Sequence, residues 1–397
     1  MKIIVLTVGE PPLYDESKRL HRSGILSHKL SIKHKVEYWS SNFFHQKKEY
    51  FDIGKYKINK NLNFVSFPSL GYNKNISIKR YIDQFLFAFY IFFKLLKNKK
   101  NIDLIIVSMP TCDLAFSVSL FSKIFKIKYI VDVRDMWPDI FWLKFNKKKF
   151  ISLIIKLLSL PQIIFRNYAL KNANGITSIT QDFLEWSTKK NKNKKLLSNY
   201  FYLSPNNNFT KNLNKTFNDK INICFFGVIS YSKFDFKTLI KFLNTHDSNN
   251  LIFHICGDGD DLEKLKKDLS KYPNVKIYGY LNINDLSKIA NISHYGLANY
   301  IPTKDFNMSI PNKIIEYLSY NIQIIYSLEG STKKLLSANN IGRYYKSGDI
   351  YSLISVLSNL SYSQSGALYY NFYKEYFDKD KIYNSFCQFI ESVYEKT

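Results

Sequence analysis

The residues whose types and spacing most clearly imply chemistry are Pro311, Asn312, Lys313 and Glu316, within Ser309-Ile310-Pro311-Asn312-Lys313-Ile314-Ile315-Glu316-Tyr317-Leu318. The pattern predicts a helix start, with Ser309 or Ile310 at the cap and Pro311 at the first helical position, where a missing N–H costs nothing. Such a start offers free backbone N–H groups and the positive end of the helix dipole, which together suit a phosphate. Asn312 and Glu316 are four residues apart and share one face. The Glu316 carboxylate can therefore accept hydrogen bonds from a ribose diol while the helix end holds a diphosphate. The plainer reading is that Glu316 is an acidic residue favoured by the dipole alone.

Other candidate groups stand at the ends of apolar runs. Gly227-Val228-Ile229-Ser230-Tyr231-Ser232-Lys233 follows Ile221–Phe226; Gly227 permits close backbone approach and Lys233 can meet a phosphate. Gly257-Asp258-Gly259 follows Leu251–Cys256 and suits a loop lying against a base or ribose, or a plain tight turn. Gly9-Glu10-Pro11-Pro12 turns the chain after Ile3–Val8. Asp132-Val133-Arg134-Asp135-Met136-Trp137-Pro138-Asp139 packs three carboxylates, an arginine and a tryptophan into eight residues. Arg134 offers a fork for a phosphate or carboxylate, and Trp137 a face for a sugar ring. The competing reading is an internally paired Arg–Asp turn with Trp137 in the core.

These groups need elements to carry them. Short, near-continuous apolar runs such as Ile3–Val8, Asp103–Val107 and Lys128–Val133 read as strands buried on both faces of a parallel sheet. Helical patterns alternate with them over Ser17–Ser31, Tyr81–Leu96, which is apolar almost all round, and Leu114–Ile124. The series restarts at Ile221 after the polar stretch 204–220. The expectation is an α/β chain of two Rossmann-like, doubly wound domains facing across a cleft, with ligands at the carboxyl ends of the strands. The expected division is 1–203, a linker at 204–220, a second domain at 221–375, and a C-terminal helix at 376–397 packing back on the first. The last helices are expected at Tyr351–Leu360 and roughly Tyr370–Tyr394.

The 397 residues suffice for two sizeable cores. Formal charge is +25, yet only six basic residues are arginine, so part of the excess reflects a lysine- and asparagine-rich composition. Residues 141–171 combine Lys147-Lys148-Lys149 with an apolar, aromatic helix, as an interfacial membrane segment does, or as a buried helix with a lysine cap would. Cys112, Cys224, Cys256 and Cys387 are too scattered for zinc or a disulfide framework, and suit a reducing cytosol. No signal peptide or spanning segment is expected, nor any metal or cofactor.

Three segments together resemble the retaining glycosyltransferases of family 4, of GT-B architecture: Phe226-Gly227 leading to Lys233, His254-Ile255-Cys256-Gly257-Asp258-Gly259, and Pro311–Leu318. Gly9–Pro12, Arg19-Leu20-His21-Arg22, Trp39-Ser40-Ser41 and Asp132–Pro138 resemble the bacterial members that build O-antigen or capsule units. The resemblance implies that Glu316 holds the donor ribose, that Lys233 meets the donor diphosphate, that Gly227 and Gly9 admit it, and that Asn312 and Lys313 start the helix beneath the phosphates. Met308 stands where the family often has its first glutamate, and Ser230 stands near where relatives carry a second basic residue. Arg134 precedes Asp135 where many relatives have histidine; either is expected to contact sugar.

The implied reaction moves a sugar from a nucleotide-sugar, most readily UDP-linked, to a polyprenyl-diphosphate-linked saccharide. The implied place is the inner face of the cytoplasmic membrane, on an anionic lipid surface. Rival readings are a GT-B-type sugar-nucleotide 2-epimerase and a non-enzymatic nucleotide- or sugar-binding protein. Nucleic acid is not an expected partner, because no helix-turn-helix, zinc or ribonucleoprotein motif accompanies the charge.

Overall fold

Strands buried on both faces need apolar residues at every position, and that is how the apolar runs fold. In Leu104–Met109, Leu104 and Ile106 enter one core while Ile105, Val107 and Met109 enter the other. Lys2–Leu6 divides the same way, Ile3 and Val5 against Ile4 and Leu6. The period of two makes both faces apolar, which reads in sequence as an unbroken run. The structure is a computed structural model that describes residues 1–75, 77–143, 145, 148–189, 191, 196–204, 220–361 and 367–396. The stretch 205–219, within the expected linker, lies outside the described residues, as does Lys147.

The chain forms two compact units, Met1–Tyr202 with Lys379–Thr397, and Leu203–Asp378. The first holds an eight-stranded sheet. Lys2–Leu6 lies between Lys35–Ser41 and Leu104–Met109, and all its pairings are parallel except that of Gly54–Lys57 with Leu62–Phe67. Helices Ile78–Asn98, Cys112–Phe125 and Leu160–Asn172 cover one face. Arg22–Leu30 and Lys379–Lys396 cover the other. The last helix seats Tyr383, Phe386, Ile390 and Val393 there, with Phe386 stacked on Phe201 at 4.5 Å. Each such side chain contributes about 1.5–3 kcal/mol by leaving water.

The second unit has a six-stranded, all-parallel sheet, in the order Val275–Gly279, Leu251–Cys256, Ile221–Phe226, Tyr295–Ala298, Gln323–Tyr326, Arg343–Tyr344. In sequence rank this is 3-2-1-4-5-6, the doubly wound Rossmann order.

Several boundaries move. The first helix is Arg22–Leu30 rather than Ser17–Ser31, because Asp15 Oδ1 accepts from the Ser17 N–H and closes a local turn instead. The expected helix Tyr370–Tyr394 is two helices, Leu368–Tyr376 and Lys379–Lys396, and the chain changes units at the break. The Ile78–Asn98 helix buries Phe87, Ala88, Ile91 and Leu95 but leaves Phe85, Phe89 and Phe93 exposed. Among the described residues no single helix is long and apolar enough to cross a membrane; Lys149–Leu158 and Leu160–Asn172 meet that measure only as a pair bent by 62°.

Candidate functional site

In the second unit, Ile221–Phe226 and Tyr295–Ala298 are neighbours from which the strand order runs outward in both directions. This switch point leaves a crevice at the carboxyl ends of the strands, the usual ligand position in such sheets. The Gly227–Lys233 loop leaves one of these strands and the path to the helix Asn312–Ser319 leaves the other. Gly227, at φ 131°, donates its N–H to the Cys256 carbonyl at 3.0 Å, and Ile229 donates to the Asp258 carbonyl at 2.9 Å. The two loops are thus laced edge to edge. A Cβ on Gly257 would lie 1.7 Å from the Gly227 carbonyl oxygen, so only glycine lets them approach this closely. Asp258 is exposed on the turn, and its Oδ1 accepts from the Gly259 N–H at 2.7 Å.

The helix begins one residue later than the sequence suggested. Pro311 is its cap, with an extended ψ of 145°, and Asn312 is the first helical residue. A proline outside the helix leaves the N–H groups of Asn312 and Lys313 at the open end. Asn312 is exposed and Glu316 half-buried one turn on, on the same face. Lys313 points the other way. It is 5% exposed, with its amine 3.3 Å from the ring centre of Phe225 and 3.8 Å from that of Phe234, and it has no hydrogen-bond partner. A Cβ on Gly227 would sit 3.4 Å from Lys313 Cε, so the amine lies just under the loop. Burial pushes its pKa well below the ordinary lysine value, against the opposing pull of Glu316. Lys233 is exposed at the loop's end and is tied by its backbone, its N–H to Ser230 and its carbonyl to Ile301. Ser230 shares a hydroxyl contact of 2.9 Å with Ser232.

In the first unit, Gly9 lies at the carboxyl end of Lys2–Leu6 with φ 74°, its N–H donated to Ser41 Oγ at 3.0 Å. The next residue, Glu10, is buried and accepts from Thr7, Ser23, Tyr38 and Arg134. Arg134 donates Nε to Asp132 at 2.8 Å, Nη1 to Glu10 at 2.6 Å and Nη2 to Ser23 at 2.6 Å. Asp132 also receives Arg22 and Thr177. Burial pushes both carboxyl groups up, but the guanidinium groups outweigh it and hold each below its usual range. The fork of Arg134 is thereby used within the protein. Asp135 Oδ1 accepts from the Met136 N–H at 2.6 Å.

Trp137 does not offer an open face. It is 5% exposed, stacked at 10° on Tyr81, with the Arg80 guanidinium 4.2 Å from its ring centre. The reading of Trp137 as a sugar platform is therefore corrected. The aromatic ring is worth more buried than left in water, and Tyr81 and Phe141 were available to cover it.

The fold thus gathers Gly227, Ser230, Gly257, Asp258, Gly259 and Lys313 around one crevice, with Pro311, Asn312 and Glu316 on the adjoining helix. Gly9 and Arg134 meet through Glu10 in the other unit. The sequence reading quoted Glu10 and Arg22 within resembling segments but gave them no role, and it missed Ser23 and Tyr38; these four complete that ionic network. An acid beside a loop glycine was the only local signal; its partners lie up to 124 positions away. Among the described residues no group of three or more His, Cys, Asp or Glu side chains is placed to hold a metal ion.

No family model matches the chain, and no curated protein matches it in sequence. Solved structures do match in fold. Sucrose-phosphate synthase from Thermosynechococcus elongatus superposes with a TM-score of 0.71 at 10% identity, covering 100% of each chain. Anabaena HepE in complex with UDP and glucose gives 0.62 at 13%, over 99% of this chain and 100% of that one. The lipopolysaccharide outer core galactosyltransferase WaaB gives 0.64 at 14%, over 99% of each. The fold is GT-B. Its two Rossmann-like units match these structures over essentially their whole length.

Proposed function

We propose that the chain is a retaining glycosyltransferase that moves a sugar from a UDP-linked donor to a polyprenyl-diphosphate-linked saccharide in O-antigen or capsule assembly. The observation that carries this reading is the crevice of the second unit. There, laced glycine loops and a helix end converge at the switch point of a Rossmann sheet, with an acid on the helix. Anion-binding groups and a ribose-binding acid in that relation fit a nucleoside diphosphate better than an uncharged ligand. The shared fold of HepE, solved with UDP and glucose, and of the galactosyltransferase WaaB supports the same choice.

In this reading Glu316 accepts from the ribose hydroxyls. The N–H groups at Asn312 and Lys313 and the Lys233 ammonium stabilise charge as the diphosphate leaves. Gly227, Ser230 and Gly257–Gly259 shape the pocket around the donor. The acceptor hydroxyl attacks the face the nucleotide leaves, and a donor phosphate oxygen takes its proton. The Gly9 loop lies on the acceptor side, where Arg134 and Asp135 act, Arg134 by holding Glu10 and Asp132 in place. The basic, apolar helix Lys149–Leu158 meets the anionic inner face of the cytoplasmic membrane, where such an acceptor resides.

The test is a melting-temperature panel with UDP, GDP, dTDP and ADP, each with and without EDTA. Ligand at 100 times its dissociation constant adds about 2.7 kcal/mol, a readily seen shift. A shift with UDP that EDTA does not alter is the expected result. A folded protein that responds to no nucleotide would overturn the reading.

A further inference from the structure

The two strands that flank the crevice of the second unit part before they end. Ile223 faces Tyr295 and Cys224 faces Gly296, and the pairing stops there, although the strands run on to Phe226 and Ala298. Parted strands leave a backbone donor on one side and an acceptor on the other, and buried groups of that kind need a substitute partner. The Tyr317 hydroxyl supplies it. It accepts from the Phe226 N–H at 3.1 Å and shares its proton between the Leu297 carbonyl at 3.2 Å and the Cys224 carbonyl at 3.3 Å. Phe226 and Leu297 thus meet through one oxygen. Burial pushes the phenol pKa well above its ordinary value, so the proton stays in place for these bonds.

The strand is shaped for that ring. Tyr317 is fully buried, with its ring 5.4 Å from that of Phe226. A Cβ on Gly296 would lie 2.4 Å from two of its ring carbons, so only glycine lets it rest here. The residues next to these contacts belong to the donor site. Gly227 follows Phe226 and opens the loop that runs to Lys233, and Glu316 precedes Tyr317 on the helix that begins at Asn312. One hydroxyl therefore ties the phosphate side of the crevice to the ribose side. A ribose and its diphosphate are joined by bonds of fixed length, so a pocket gains from both only when its halves keep the matching separation.

We propose that Tyr317 is a positioning residue: its hydroxyl, wedged between the parted strands, sets the distance from the Gly227 loop to Glu316 so that one nucleoside diphosphate engages both. The proposal rests on the donor reading above, and adds to it a residue that acts through its neighbours.

Calorimetry on the full chain tests it with UDP, and displacement of UDP measures uridine and inorganic diphosphate. In Tyr317→Phe the Phe226 N–H loses its partner and the loop shifts, so UDP should bind about tenfold more weakly. Uridine and inorganic diphosphate each engage one half, and should bind as they do to the wild type. Gly296→Ala pushes the ring off the strand with its hydroxyl intact and should give the same selective loss; it remains informative if Tyr317→Phe fails to fold. A tyrosine that served packing alone would lower the melting temperature and weaken all three ligands together, and that result in a folded variant would overturn the proposal. Hydrogen exchange needs no variant. The Phe226 amide should exchange slowly in the unliganded wild type, and exchange as fast as that of an exposed loop would overturn the wedge. UDP bound equally by wild type and Tyr317→Phe would sink this inference alone. A folded wild type that binds none of the three would sink the transferase reading with it.

Discussion

A lysine amine closed in by aromatic rings with no polar partner is held between two opposing effects, and at Lys313 their sizes decide the outcome. A desolvated cation over a ring gains about 2 kcal/mol, whereas burying an unpaired charge costs several. Burial wins, as the lowered pKa indicates. The sign follows. Between the depressed folded value and the ordinary 10.5, the unfolded chain binds more protons than the folded one, so stability rises with pH across that window. Urea unfolding at pH 7 and pH 9 should show wild type gaining relative to Lys313→Met. At pH 7 the variant should be as stable as wild type or up to about 2 kcal/mol more stable. Parallel pH curves would mean the amine stays charged. Arg134→Ala is the contrary case: it strands Glu10 and Asp132 in the interior and should cost about 3–5 kcal/mol. A loss below about 1 kcal/mol in denaturant titration would show that the network does not depend on it. Both carboxyl groups lie below their usual pKa, so their stabilisation is present above the ordinary carboxylate range and is lost as pH falls through the folded values.

Elements set which residues can meet. The two glycine loops of the second unit follow adjacent parallel strands in register, so their first residues come together without any contact between side chains. Gly257→Ala forces them apart, since the added carbon would occupy the Gly227 carbonyl oxygen. The expected result is a folded but less stable protein whose UDP affinity drops at least about tenfold, measured by calorimetry; unchanged affinity would show that the loops need not touch. The C-terminal helix shows the reverse dependence. Lys379–Lys396 covers one side of the first sheet, and its Phe386 takes both the Phe201 ring and the Arg22 guanidinium, the latter at 4.8 Å. Ending the chain at Asp378 should expose that core and yield insoluble protein, read by the soluble fraction on expression. A soluble, cooperatively melting truncation would count against this packing.

For the whole molecule, charge and exposed apolar area act together. The formal charge of +25 gives weak attraction to any anionic surface. Lys149–Leu158 adds a helix in which no residue is buried, with Phe150 74% and Leu158 78% exposed. We expect the protein to sediment with vesicles containing anionic lipid and to be released in part by salt. Phe150→Ser with Leu158→Ser should reduce the vesicle-bound fraction several-fold without lowering the melting temperature. Equal binding by the variant would assign the attraction to charge alone.

The sequence by itself determined the periodicities, and through them most of the elements. Strands buried on both faces, the glycine turns that end them and the proline before Asn312 are legible because local residue type dictates local geometry. It also suggested the anion-binding character of Gly227–Lys233 and Pro311–Glu316. Only the tertiary structure decided the use of the long-range groups. Arg134 faces Glu10 as well as the nearby Asp132, Trp137 lies under Tyr81 and Arg80 of a helix, and Lys313 turns inward to Phe225, because these contacts depend on how separate elements pack, and all but that with Asp132 join residues distant in the chain. It likewise decided that one helix, apolar nearly all round, buries one face and leaves the other open. Which face is covered depends on the sheet beneath it, and no local pattern contains that information.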